Sequence, residues 1–221
     1  MSSNTTPAAV FFDLDGTLLD TAEDLLAALN HVFITNSFHT VTLEQLIPLI
    51  SKGSKQIIKN LLNQEFTEEE LALFSKDFII AYNTHAHQYT KFFPNIDKVL
   101  AHLNEKNIPW GVITNKTTAL TMPIIELFML KQLKCRTVVC ADTTEFSKPH
   151  AAPMLKACSD LNIDPSKAIF VGDAITDIQA GKAVNMTTIA AAYGYIDPTE
   201  DVKSWQADYI IREPGELLGY I

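Results

Sequence analysis

Asp13 and Asp15 stand two residues apart at the end of an apolar run, in Val10-Phe11-Phe12-Asp13-Leu14-Asp15-Gly16-Thr17. Along an extended backbone that spacing sends both side chains to the same side. Two carboxylates held so close repel each other, and a divalent cation is the usual remedy. A carboxylate nucleophile, an acid-base partner and a metal are the parts that phosphoryl transfer through an aspartyl phosphate needs. A turn cap without chemistry draws on the same residue types. An EF-hand does not fit, because its glycine is sixth in the loop and a Glu closes it. Here Gly16 is fourth counting from Asp13, and the twelfth position is Asp24.

A second acidic cluster is placed the same way. Ala168-Ile169-Phe170-Val171 reads as a buried strand that delivers Gly172-Asp173, and Asp177 follows one turn into the next helix. Between the two clusters lie two more strand ends, Val112-Ile113-Thr114-Asn115 and Phe146-Ser147-Lys148-Pro149. The Thr114 hydroxyl and the Asn115 amide can donate to phosphate oxygens. Lys148 is read as the one cation near several carboxylates, held extended by the proline after it. Ligands of open parallel sheets sit beyond the carboxyl ends of the strands, so all these groups are expected at one edge.

The elements that must carry them alternate. The four-residue apolar run Ala9–Phe12 fits a strand covered on both faces. Helical periodicity then holds from about Thr21 to Tyr89, with Thr21 and Asp24 forming a capping signal and Thr42 and Thr67 opening later helices. From Phe93 strands and helices alternate again, predicting βαβ units with right-handed crossovers. Pro123 is expected in the first turn of a helix over Leu120–Leu130. Asp208–Ile211 reads as an edge strand. Asn185 and Asn95 are expected in left-handed backbone, where Asn is the best substitute for Gly.

The motif order DxDGT, TN, KP, GDxxxD resembles the haloacid dehalogenase superfamily of phosphohydrolases, across nearly the whole chain. The resemblance implies an α/β fold, a Rossmann-like parallel-sheet core of residues 1–18 and 93–221, with an inserted all-helical C1-type cap over residues 19–92. It implies Asp13 as nucleophile, Asp15 as general acid-base, Lys148 as the clamp on nucleophile and phosphate, and Thr114 and Asn115 as phosphate ligands. It also implies Mg2+ held by Asp13, the Asp15 main-chain carbonyl and Asp173, with Asp177 outside the ligand set, orienting a metal-bound water or Lys148. Lys52 and Gly53 coincide with the family's substrate-specificity loop. The chain is similar to the phosphoglycolate phosphatase group. It also resembles N-acetylmuramic acid 6-phosphate phosphatases at Lys148–Leu155, Tyr193–Ile196 and Trp205–Asp208. A phosphomutase shares every one of these core residues and stays open as an alternative. A dehalogenase would lack Asp15, and a receiver module would lack both DxDGT and the helical insert.

Composition agrees. The 221 residues are 47% apolar with a formal charge of −9, which allows a sizeable core and argues against nucleic acid or anionic membrane as partner. The expected partner is a small phosphorylated metabolite, and the chain a monomer or homodimer. Cys135, Cys140 and Cys158 are odd in number and lack a metal-ligand pattern, which points to a reducing, cytoplasmic setting. The first nine residues carry no apolar stretch of a secretory signal.

Overall fold

The computed structural model describes residues 6–85, 88–128, 130 and 132–221. The chain opens with β1 (Ala9–Phe12), whose four residues are all fully buried. Alternate residues leave to opposite faces, as the pleat requires. Val10 and Phe12 join the large cluster that includes Trp110 and Leu103, while Ala9 and Phe11 join Met154 and Phe170 on the other face.

After β1 come β2 (Leu19–Asp20), α1 (Ala22–Thr35) and α2 (Leu43–Leu46), which runs on into a 3-10 segment, Ile47–Lys52. Then follow α3 (Ser54–Leu62), α4 (Glu68–His85) and β3 (Lys91–Phe92). β2 and β3 pair antiparallel, Leu19 opposite Phe92, so the helical stretch leaves and returns through adjacent strands. Inside it Phe38 packs edge-on against Phe33, Phe66 and Phe74, with centroids 5.7–6.3 Å apart. Edge-to-face rings at that spacing add to the area they bury.

The remainder alternates as expected: α5 (Ile96–Glu105), β4 (Trp110–Ile113), α6 (Thr118–Leu127), β5 (Cys135–Val139), α7 (Ala152–Leu161), β6 (Ala168–Gly172), α8 (Ile175–Lys182), β7 (Thr187–Ala191) and β8 (Tyr209–Ile211). The strands form one parallel sheet in the order β5-β4-β1-β6-β7-β8. The chain fills one side of β1 and then crosses to the other. The order therefore reverses between β1 and β6, and a crevice opens at their carboxyl ends. Asn95 and Asn185 take positive φ, 70° and 59°. Among the described residues no helix is long and apolar enough to cross a membrane.

Three local expectations are corrected. Thr21 does not cap α1 with its side chain; the hydroxyl goes to Asp15 instead. Asp24, 1% exposed, accepts from the main-chain N–H groups of Gln88, Tyr89 and Thr90 and from the Thr90 hydroxyl. Both residues fit a capping pattern, and a tertiary contact claims each of them. Pro123 lies inside α6 rather than in its first turn. The carbonyl it leaves without a helical donor, that of Ala119, accepts from the Asn83 amide of α4 at 3.1 Å.

Candidate active site

Asp13 follows β1 directly, and its main-chain N–H donates to Val171 of β6 at 2.9 Å. That bond holds it level with the end of β6, from which Asp173 and Asp177 emerge. Asp13, Asp173 and Asp177 each offer a carboxylate oxygen, all within 4.8 Å of one another. At that limit two like charges repel by about 3.5 kcal/mol in an effective dielectric of ~20.

Gly16, at φ +79°, turns the chain under this cluster, and a Cβ there would collide with the Asp173 carboxylate. A Cβ on Gly194 would meet the Gly16 carbonyl and Asp173. Only glycine lets these loops close around Asp173. The Asp173 carboxylate accepts from the Thr17 hydroxyl at 2.8 Å and from the Tyr195 main-chain N–H at 2.8 Å.

Lys148 is buried between the acids. Its ammonium lies 2.9 Å from Asp13 Oδ1 and 2.7 Å from Asp177 Oδ1, and donates to the Ile113 carbonyl at 2.8 Å. The approach to the two carboxylates is close enough for ion pairs, yet leaves both Oδ1 atoms without a well-directed hydrogen bond. Asp177 Oδ2 accepts from the Ala174 N–H at 3.0 Å.

Electrostatics follow from this crowding. Burial pushes Asp13 up to about 6, with Asp177 and Asp15 adding to the rise and Lys148 opposing it. Burial, then the charges of Asp13 and Asp177, hold Asp173 well above the usual carboxylate range. Lys148 moves upward, because Asp13 and Asp177 outweigh the burial that disfavours its charge. The half-buried Asp13 and the buried Asp173 and Asp177 thus face one ammonium, formally two negative charges in excess. An all-oxygen donor set with poorly satisfied lone pairs and that excess fits a hard divalent cation.

Thr114 is buried, its Oγ1 accepting from the Lys116 main-chain N–H at 3.1 Å, which leaves its own hydrogen to donate. The Asn115 amide is used differently from the sequence expectation. It donates to the Lys148 carbonyl and accepts from the Lys148 N–H, both at 3.0 Å, so it clasps the segment that carries Lys148. The Lys148-Pro149 peptide is cis.

The reading of Lys148 as the sole cation is corrected. Lys116 is also buried, with its ammonium 3.0 and 3.2 Å from the two Asp15 carboxylate oxygens. It lies 3.3 Å from the Tyr82 hydroxyl and 4.4 Å from the centroid of that ring. Burial works against its charge, but Asp15 and Tyr82 raise it; burial pushes the Tyr82 phenol up to about 12. Thr21 donates to Asp15 Oδ1 at 2.6 Å.

Tyr195 joins the site to the β2–α1 junction. Its hydroxyl accepts from the N–H groups of Thr21 and Ala22 and donates to Asp20 at 2.8 Å. Lys116 and Tyr195 were not singled out as site residues from sequence, though each carried a positional signal. Lys116 stands two residues beyond Thr114 at a strand end, and Tyr195 follows β7 on the same edge. Nothing local told them from any surface Lys or Tyr.

A cavity of about 560 Å³ opens over the cluster, within the range of small-molecule sites. Asp13, Asp15, Thr114, Asn115, Lys148, Asp173 and Asp177 all line it, so the structure brings together every core residue singled out from sequence. Lys52 lines it from the end of the 3-10 segment and Gly53 from the junction with α3, and Leu25, Ser75, Phe78 and Ile79 line it from the helices.

A family model of haloacid dehalogenase-like hydrolases matches residues 10–191. The chain belongs to this family. Among curated haloacid dehalogenase-like relatives, an N-acetylmuramic acid 6-phosphate phosphatase of Pseudomonas aeruginosa is 33% identical over 210 residues, covering 95% of this chain and 92% of its own. A phosphoglycolate phosphatase of Xanthomonas campestris is 33% identical over 211 residues, covering 96% and 95%. A crystal structure of a predicted phosphoglycolate phosphatase from Haemophilus somnus 129PT superposes with TM-score 0.88 at 24% identity, over 97% of this chain and 98% of that one, and shares the fold. The chain is a phosphatase of this family.

Proposed function

We propose that the chain is a Mg2+-dependent phosphomonoester hydrolase working through an aspartyl phosphate on Asp13. In this reading residues 1–18 and 93–221 form the core and residues 19–92 a helical cap; residues 1–5, 86–87, 129 and 131 lie outside the described residues. The observation that carries the reading is the convergence of Asp13, Lys148 and the acids after β6 under one cavity at the point where strand order reverses.

Asp13 attacks phosphorus in line, the ester P–O bond breaks, and the leaving oxygen takes a proton from Asp15. A water then attacks the phosphoryl group, gives its proton to Asp15, and Asp13 is released with inorganic phosphate. Asp13, Asp173 and the Asp15 main-chain carbonyl would hold Mg2+, which would supply charge neutralisation at the phosphate. Lys148 keeps Asp13 ionised among its neighbours. Asp177 acts outside the ligand set by holding Lys148. The Thr114 hydroxyl and main-chain amides around Asn115 meet the charge that spreads over the phosphoryl oxygens. The helices over the cavity exclude bulk water.

The substrate is a small phosphorylated metabolite in the cytoplasm, with 2-phosphoglycolate as the first candidate. A cavity of about 560 Å³ walled by Leu25, Phe78 and Ile79 has more room and more apolar surface than a two-carbon acid fills. That favours N-acetylmuramic acid 6-phosphate as the second reading. Lys52, on the cavity wall, would meet a carboxylate in either ligand. Measuring kcat/KM for both esters side by side decides between them. Removal of divalent metal with EDTA is expected to stop turnover and Mg2+ to restore it; full activity in EDTA rejects the mechanism. Transfer of the phosphoryl group to a second sugar hydroxyl instead of water would make the chain a mutase.

A further inference from the structure

The ion pair between Lys116 and Asp15 belongs to none of the steps above, yet it governs the group that must move protons. Both Asp15 oxygens face the Lys116 ammonium, at 3.0 and 3.2 Å, and Oδ1 also takes the Thr21 hydroxyl. Asp15 is thereby tied to the loop after β4, while Asp13 is tied to Lys148 and β6. The two carboxylates of one short motif are held by two different ammonium groups.

Lys116 is held in turn from the helical stretch. Tyr82 of α4 presents its ring face at 4.4 Å and its hydroxyl at 3.3 Å. A buried ammonium has little freedom once a carboxylate and an aromatic face are both in place. The direction in which Asp15 points therefore depends on Lys116, and the position of Lys116 on the seating of α4.

We infer that Lys116 is a positioning residue for Asp15, aiming the carboxylate that exchanges the proton with the leaving oxygen, and that Tyr82 links this aim to α4. The inference rests on the reading of Asp15 as the acid-base group. Proton delivery matters most when the leaving group is a poor one. An alkyl oxygen needs a proton as the ester bond breaks, whereas p-nitrophenolate leaves without one. A residue that acts through Asp15 must show the same selectivity as Asp15, and must lose its effect once Asp15 is gone.

The test compares kcat/KM, which reports the steps through the first bond cleavage, for p-nitrophenyl phosphate and an alkyl ester. The alkyl ester is 2-phosphoglycolate or N-acetylmuramic acid 6-phosphate, whichever is turned over faster. Asp15→Asn is expected to lose about 100-fold or more on the alkyl ester and far less on the aryl ester. Lys116→Met is expected to lose about tenfold or more on the alkyl ester, with the aryl ester within about threefold. In the Asp15→Asn background Lys116→Met should add nothing. Equal loss on both esters, or an effect that adds to Asp15→Asn, overturns the role of Lys116 while leaving that of Asp15. Equal loss from Asp15→Asn itself instead removes the acid role of Asp15, and the inference with it. Should Lys116→Met fail to fold, Tyr82→Phe keeps the ring and removes only the hydroxyl contact. A smaller loss confined to the alkyl ester supports the inference, and unchanged or uniform kinetics overturn it.

Discussion

Asp13 is placed where its charge is unwelcome. Raised to about 6 from an ordinary 3.8, it binds its proton more tightly in the fold than in the unfolded chain. Between those two values folding takes up a proton, so the metal-free fold loses stability as pH rises through about 4 to 6. The loss is on the order of 3 kcal/mol for a shift of that size. Asp13→Asn removes the buried charge and should raise Tm in EDTA at about pH 7.5 by several degrees, with little change at about pH 3.5, where Asp13 is largely protonated in the folded and the unfolded chain alike. A lower Tm for the variant at both pH values would show that the Lys148 ion pair outweighs burial and repulsion. The same residue scale shows what sequence hides. Asp13, Asp15, Lys148 and Asp173 were legible because spacing and strand ends placed them on one edge. Lys116 was not, since its partners Asp15 and Tyr82 lie 101 and 34 residues away in the chain.

Among elements, β1 and β6 were legible as unbroken apolar runs. The two-residue strands β2 and β3 carry no period that a sequence could show, and only their pairing makes them strands. At the start of α1, Thr21 and Asp24 satisfied a capping pattern, but the fold needed Thr21 for Asp15 and Asp24 for three main-chain N–H groups of the returning chain. Pro123 shows the same override, tolerated inside α6 because Asn83 of α4 takes the carbonyl left behind. Asn83→Ala should cost about 0.5–1 kcal/mol in urea unfolding. The cost should shrink in a Pro123→Ala background, where the helix supplies its own donor. An equal cost in both backgrounds would assign the Asn83 effect to something other than this bond.

At the scale of the whole molecule, a chain of net charge −9 must attract an anionic ester through local groups, since its overall field repels one. In the proposed mechanism Lys148 and a cation held by the acids would do this at the floor of the cavity; Lys52 stands at its wall. The covalent claim at the centre of the account can be read directly in Asp15→Asn with p-nitrophenyl phosphate. The first step needs little acid help with that leaving group, while hydrolysis of the intermediate still lacks its base. Rapid-quench kinetics with Mg2+ should show a burst of one nitrophenol per active site. The peptide carrying Asp13 should gain the mass of one phosphoryl group. Turnover with neither a burst nor phosphorylated Asp13 would contradict the aspartyl-phosphate mechanism.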